Sequence, residues 1–443
     1  MARRAGLIPA DSNPPGCRDS GPWEVLPPGE GSWFPLRAAG REGPLLKVRG
    51  GVPGERIEIA LRPGDPGWAD LQGVVRAAPG RRPPPCRLAD RCGGCHWQHM
   101  DEATQRRWRR HRLLRLLDQA GVTGSLVEDD LWVPPALGYR CRVRVQVGPE
   151  GTVGFHGPGS RQVVDVPRCP LMAPDLDRAY RALREVLRAE PVERGLTGVE
   201  IIALPGGGAP LARLNPRDRP PFRWRALARR LIGEAGFAGV DVQGKMRPEG
   251  ADGAWGRTER GPVAAAVGGF VQAHLAAAEA MAQWIVEASA ARAGGGIVEL
   301  YAGSGFLGWR LAAAGADVVS VEADARSVAA ADRLPAPGAG SWRRQVRRAE
   351  AFLADGGRVE TIVADPPRSG LGAALGPLLA AAPGRLVLVS CSLAGLARDL
   401  PALIEGGYRP TRIRPCDLFP QTRHLETVLL LERRRIRGPR SAK

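Results

Sequence analysis

The apolar run in "RLVLVSCSLAGLARDL" closes on one cysteine, Cys391. A thiol there is either a small buried hydrophobe, the commoner use of free cysteine, or a nucleophile. A helix starting just after Cys391 would lower its pKa through the amide dipoles and favour the thiolate. Other residues able to do chemistry sit at comparable places. "VELYAGSG" closes on the turn Gly303-Ser304-Gly305, "VVSVEAD" carries Glu322 17 residues after Gly305, and "IVADPPRSGL" carries Asp365 ahead of two prolines. Glu426 interrupts the apolar run "HLETVLLLE". On an alternating strand it would face solvent; buried, its pKa would rise and suit it to proton transfer.

Glycines let a backbone approach a ligand, and a carboxylate on the following strand accepts from ribose hydroxyls. No Gly-Lys-Ser/Thr phosphate loop accompanies them. The pattern therefore fits a nucleoside such as S-adenosylmethionine better than ATP. The Asp-Pro-Pro loop reads either as a rigid turn or as part of a site that holds a planar base. A second group of cysteines is spaced Cys86-x5-Cys92-x2-Cys95, with Cys169 later in "PRCPLM". Four thiolates suit zinc or an iron–sulfur cluster, and the spacing leaves both open. His96 and His99 are rival ligands. Cys17, Cys141 and Cys416 read as structural.

These residues need elements to position them. "IVELYAGSG", "ADVVSVEAD", "RVETIVADPP" and "GRLVLVSCS" are short apolar strands separated by helix-length segments. Continuously apolar strands alternating with helices predict a parallel sheet covered on both faces. Cys391, Glu322, Asp365 and the glycine turn then share one edge of it. The tail "HLETVLLLERRR" adds a strand antiparallel to "YRPTRIRP". Upstream, "VPGERIEIAL" alternates with period two and predicts a half-buried strand of a small β-barrel. "APGRRPPPC" punctuates a boundary near residue 80. The segment Gln105–Gly121 reads as a helix with leucines on one side and six arginines on the other, its basic face and Trp108 being candidate phosphate contacts.

The chain has 443 residues, 44% apolar and 25% charged, enough for two to four domains. Its formal charge is +17 and its pI about 10.6. A codon bias would replace lysine by arginine but would not create an excess of base over acid, so the charge points to a polyanion, nucleic acid ahead of a membrane surface. No signal-peptide core opens the chain and no apolar run of about 18 residues occurs, which predicts no membrane span and a cytoplasmic protein. There, clustered cysteines bind metal or do chemistry more often than they pair.

With these residues in view, the chain resembles the RNA uracil-C5 methyltransferase family, the enzymes that make 5-methyluridine in ribosomal and transfer RNA. "VPGERIEIAL" resembles the family's N-terminal TRAM barrel, "FVQAH" its Phe-x-Gln segment, and "ELYAGSG" its cofactor loop. "ADPPRSGL", "VSCSLAGLARDL" and "DLFPQTRHLETVLLL" resemble its catalytic segments. The resemblance implies an α/β fold: a Rossmann-like class I methyltransferase domain over residues 263–443, an OB-like TRAM barrel over 1–80 that binds RNA, and a central α+β domain over 81–262 carrying a [4Fe–4S] site.

The resemblance also implies roles. The thiolate of Cys391 adds to C6 of uracil, S-adenosylmethionine delivers the methyl group to C5, and Glu426 removes the C5 proton before Cys391 is eliminated. Gln272, Tyr301, Gly303, Gly305, Phe306, Glu322 and Asp365 contact the cofactor, Gln272 and Asp365 lying towards the base as well. Cys86, Cys92, Cys95 and Cys169 hold the cluster, the resemblance choosing iron–sulfur over zinc. The partner is RNA, 23S ribosomal RNA ahead of tRNA, the target uridine leaves its stack, and the protein is a monomer.

Four positions depart from the family pattern. Phe306 stands where Asn is usual, Ser392-Leu393 where Asn-Pro follows the nucleophile, and Ala302 where a cysteine is frequent. Phe306 and Ser392-Leu393 motivate a rival reading, an RNA-binding protein with a lapsed methyltransferase site. A cytosine-C5 methylase would share the thiol addition.

Overall fold

The computed structural model describes residues 22–28, 33–38, 45–62, 64–189, 195–217, 221–243, 247–357 and 359–433; Cys17 lies outside them. The chain divides into two compact units: Met1–Arg115 with Pro420–Arg423, and Leu116–Phe419 with His424–Lys443.

The first unit holds a closed five-stranded barrel of β1 (Trp23–Val25), β2 (Phe34–Ala38), β3 (Leu46–Val48), β4 (Arg56–Arg62) and β5 (Asp65–Arg76), in the order β1-β2-β3-β5-β4. Period-two alternation puts Ile57 inside while Arg56 and Glu58 face out. Phe34, Leu36, Leu46 and Val48 fill the interior with it, and Trp97, Met100 and Trp108 pack onto the same core. The helix α1 (Glu102–Gln119) begins in this unit. It corrects the expected basic face at two residues, while Arg107 and Arg115 are exposed as expected. Trp108 is buried, its ring edge-on to His111 at 5.5 Å, so it is not a phosphate contact. Arg109 is buried too and donates to the Thr422 carbonyl at 2.7 Å. A guanidinium out of water needs such an acceptor.

The second unit opens with a seven-stranded sheet of β6 (Arg142–Val147), β7 (Val153–His156), β8 (Val163–Asp165), β9 (Leu196–Ile202), β10 (Leu211–Pro216), β11 (Gly239–Val242) and β12 (Glu249–Gly250). The helices α2 (Pro174–Ala189) and α3 (Pro221–Ala235) belong to it. Leu176, Tyr180, Leu183 and Leu187 recur every three or four residues on α2, which gathers them on the face buried with the sheet's valines. A hairpin of β13 (Gly253–Thr258) and β14 (Gly261–Ala266) follows, then α4 (Leu275–Ala288).

The last sheet contains β15 (Gly296–Leu300), β16 (Asp317–Glu322), β17 (Trp342–Val346), β18 (Thr361–Ala364), β19 (Arg385–Ser390), β20 (Tyr408–Cys416) and β21 (Glu426–Arg433), in the order β17-β16-β15-β18-β19-β21-β20. The helices α5 (Phe306–Ala313), α6 (Ala325–Ala331), α7 (Ala349–Ala354), α8 (Leu375–Ala381) and α9 (Leu393–Glu405) alternate with them. The first five strands are parallel, while β21 runs antiparallel to both β19 and β20. From β15 the chain moves outward to β16 and β17, then returns to the other side through β18. Open α/β sheets bind ligands at the strand ends beside such a reversal. Among the described residues no helix is long and apolar enough to cross a membrane.

Candidate active site

A cavity of about 740 Å³ in the second unit is lined at the carboxyl ends of the parallel strands by Tyr301, Gly303, Glu322, Asp365 and Cys391, together with Gln272, Phe306 and Glu426. The strand topology brings Glu426 there: β21 is antiparallel, so its first residue lies at the edge where the parallel strands end. Glu426 is only 2% exposed, and its Oε2 has no hydrogen-bond partner. Burial pushes its pKa well above the carboxylate range, helped by the charge of Asp365 and opposed by Arg368. The buried alternative read for this glutamate is the one observed.

Asp365 follows β18 and is pushed up to about 6 by burial, opposed by a hydrogen bond from Gln272 Nε2 at 3.2 Å. The other amide atom, Gln272 Oε1, is buried without a partner. Cys391 follows β19, and Ser392 caps α9 by accepting from Gly395 N. The thiol is not lowered as its place before a helix suggested. It is pushed up to about 12, first by burial and then by the charges of Glu426 and Asp365, with Arg368 opposing. Burial is the largest of these causes, and the two nearby carboxylates act in the same direction.

The glycine loop meets Glu322 directly: Gly303 N and Asp324 N each donate to its carboxylate at 2.8 Å. Gly303 and Gly305 have φ of 55° and 79°, a region that favours glycine. Gly305 is not on the cavity wall. A Cβ there would lie 2.5 Å from the Trp342 ring, so its place is set by packing behind the loop. Tyr301 donates its hydroxyl to the Leu371 carbonyl at 3.1 Å. Phe306 opens α5 with its ring 3.8 Å from the Arg310 guanidinium, which pairs with Glu279. The departure from the family's Asn is therefore a packed aromatic.

The cavity wall also holds residues not singled out in the sequence. Glu299 lies on β15, fully buried and pushed up to about 8 by burial, with Asp365 and Glu322 adding to the rise. Its Oε1 accepts from Gly308 N at 3.0 Å and its Oε2 pairs with Ser320 Oγ. An acid inside an apolar strand was the available signal, as for Glu426. Arg140, Arg142 and Arg144 line the cavity from the start of β6, and Phe270, 54% exposed, lies 5.0 Å from the Arg142 guanidinium. The Arg-x-Arg-x-Arg alternation was legible as one face of a strand.

Of the expected metal ligands, Cys86, Cys92 and Cys95 belong to the first unit and Cys169 to the second. All four are partly buried and outside any disulfide. Burial raises the Cys92 pKa, and the charge of Cys86 adds to the rise. The donor chemistry suits a thiolate-held cluster. Among the described residues, no group of three or more His, Cys, Asp or Glu is assembled to hold a metal ion. His99 bonds the Gly51 carbonyl at 3.0 Å, which engages one rival ligand elsewhere. Cys141 and Cys416 are buried thiols, both pushed up by burial.

The family model for tRNA (Uracil-5-)-methyltransferases matches residues 338–434. An RNA methyltransferase of Gloeobacter violaceus is 30% identical over 438 residues, spanning 88% of this chain and 92% of the relative. The 23S rRNA (uracil(1939)-C(5))-methyltransferase RlmD of Chromohalobacter salexigens is 30% identical over 421 residues, spanning 89% and 86%. The crystal structure of the Pyrococcus abyssi tRNA (uracil-54, C5)-methyltransferase in complex with S-adenosyl-L-homocysteine superposes with a TM-score of 0.65 at 20% identity, over 92% of this chain and 99% of that one, a likeness of fold. A methyltransferase fold, a cavity at its switch point and relatives this similar along nearly the whole chain lead to one conclusion: the chain belongs to the RNA uracil-C5 methyltransferase family and is an S-adenosylmethionine-dependent enzyme of that activity.

Proposed function

We propose that this enzyme methylates C5 of a uridine in 23S ribosomal RNA through a covalent bond between Cys391 and C6, with Glu426 as the general base. The observation that carries the reading is the shared cavity edge of the Cys391 thiol and the Glu426 carboxylate. C5 of uracil is a weak nucleophile. Cys391 gives up its thiol proton to water and adds as thiolate to C6, which turns the base into an enolate able to attack a methyl group. S-adenosylmethionine supplies that methyl when bound. Glu426 has an unpartnered buried oxygen; in its ionised form it then takes the C5 proton, and elimination frees Cys391 as the thiolate. Tyr301, Gly303, Gly305, Phe306 and Glu322 hold the cofactor or its loop, and the Gln272–Asp365 pair lies between cofactor and base.

The substrate reading rests on relatives such as the Chromohalobacter enzyme, named for 23S rRNA. The name of the matching family model favours a second reading, a uridine in transfer RNA. RNA from cells lacking this gene, split into ribosomal and transfer fractions, separates the two. Labelled 5-methyluridine in the ribosomal fraction supports the first, and label in the transfer fraction alone replaces it.

The same reading takes the barrel as a TRAM module for RNA, the protein as a cytoplasmic monomer, and Cys86, Cys92, Cys95 and Cys169 as ligands of a [4Fe–4S] cluster. No catalytic step passes through the cluster. Protein purified without oxygen is then brown with about four irons per chain. One zinc and no iron would replace this assignment.

A further inference from the structure

Four carboxylates, Glu299, Glu322, Asp365 and Glu426, line the one cavity. Two buried polar atoms on its wall, Glu426 Oε2 and Gln272 Oε1, have no hydrogen-bond partner. Resting on the cofactor reading above, we propose that the cavity selects its methyl donor by charge: the sulfonium of S-adenosylmethionine is bound with release of a proton from Glu299 or Asp365, and S-adenosylhomocysteine, which lacks that charge, is bound with less.

Glu299 is poised for the exchange. Gly308 N already donates to one oxygen, and Ser320 Oγ meets the other. Trp342 Nε1 donates to Ser320 Oγ at 2.8 Å, which turns the serine's own proton toward Glu299. Two donors thus await the ionised form, while burial and the charges of Asp365 and Glu322 keep the proton on. Asp365, with Gln272 as donor, stands in the same balance at a lower pH, so near pH 7 Glu299 supplies most of the proton. A cation entering the cavity tips both toward ionisation.

The other charged groups do not cancel this. Arg142 and Arg144 lie 3.2 Å and 3.9 Å from Glu200. Arg368 acts on Cys391 and Glu426, and the Cys391 thiol is held neutral. Arg140 completes the basic side of the wall. Methyl transfer removes the sulfonium charge, so the product loses the interaction that held the donor, and the carboxylates recover their proton as it leaves.

The test is calorimetric titration of the full chain with each ligand, near pH 7, in buffers of different ionisation enthalpy. S-adenosylmethionine is expected to release about half to one proton more than S-adenosylhomocysteine, and its affinity advantage to rise by up to about tenfold per pH unit for each full proton released. Glu299→Gln, which keeps an acceptor for Gly308 N, is expected to bind the donor with a smaller release. Equal proton counts for the two ligands in the wild-type chain would overturn the proposal while leaving the cofactor reading intact. Binding of neither ligand by folded protein would overturn both.

Discussion

Ser390 and Thr427 are cross-strand partners in the antiparallel ladder between β19 and β21. Cys391 is the next residue on one strand and Glu426 the preceding residue on the other, so both leave the ladder at the same end. Their shared place on the cavity wall is a consequence of register, and the proposed mechanism gives each a separate role. Cys391→Ala is expected to abolish turnover while RNA affinity changes little. Glu426→Gln is expected to slow turnover by about 10²–10⁴-fold and to accumulate a protein–RNA adduct on denaturing gels. An active Cys391→Ala enzyme would exclude the covalent route.

The raised Cys391 pKa sets the pH dependence. At about 12 in the free protein, the thiolate fraction grows steadily across the neutral range. Alkylation of Cys391 by iodoacetamide is therefore expected to quicken about tenfold per pH unit between about pH 6 and 9 without a plateau. A plateau near neutrality would mean that the thiol is already ionised.

Glu299 predicts a direction for stability. Its folded pKa of about 8 lies above the ordinary glutamate value of 4.5. The folded state then holds a proton that the unfolded state gives up, so this group lowers stability as pH rises from the lower value to the higher. Glu299→Gln removes that loss. The Tm of the variant relative to wild type should improve by a few degrees, about 2–4 °C, on going from about pH 5 to pH 8.5. An unchanged difference would show that Glu299 is ionised in the folded protein.

Gly305 predicts a split between folding and binding. The Cβ of Gly305→Ala would strike the Trp342 ring, and the backbone is in the left-handed region. A cost of about 1–3 kcal/mol follows, with weaker cofactor binding as the loop shifts. Trp342→Phe in the same chain should recover part of the stability. No recovery would place the strain in the backbone alone.

The sequence carried the parts of this structure that local chemistry decides. "IVELYAGSG" and "VVSVEAD" are the parallel strands β15 and β16 with the glycine turn between them, because apolar runs and glycines report on strands and turns directly. The antiparallel tail, β21 against β20, was legible for the same reason. What could not be read was set by distant residues. The expected lowering of Cys391 used only the helix that follows it, whereas its rise comes first from burial and then from the charges of Glu426 and Asp365, which lie far from it in sequence. Trp108 and Arg109 looked like a solvated basic face because their buried surroundings include Trp97, Met100 and, for Arg109, the Thr422 carbonyl.

Those last contacts bear on how the chain comes off the ribosome. Gln105 holds Gln421 through both amide atoms, across 316 residues of sequence, and Arg112 donates to the Arg423 carbonyl. Gln421 is fully buried with a φ of 69°. The first unit therefore counts among its parts a tetrapeptide made almost last. During synthesis the barrel segment emerges early yet waits for the C-terminal strands before its helix gains these acceptors, the kind of long-range closure that slows folding. A nascent or truncated chain ending before Pro420 should expose α1 to proteases and chaperones, and a peptide spanning Pro420–Arg423 supplied in trans should protect it.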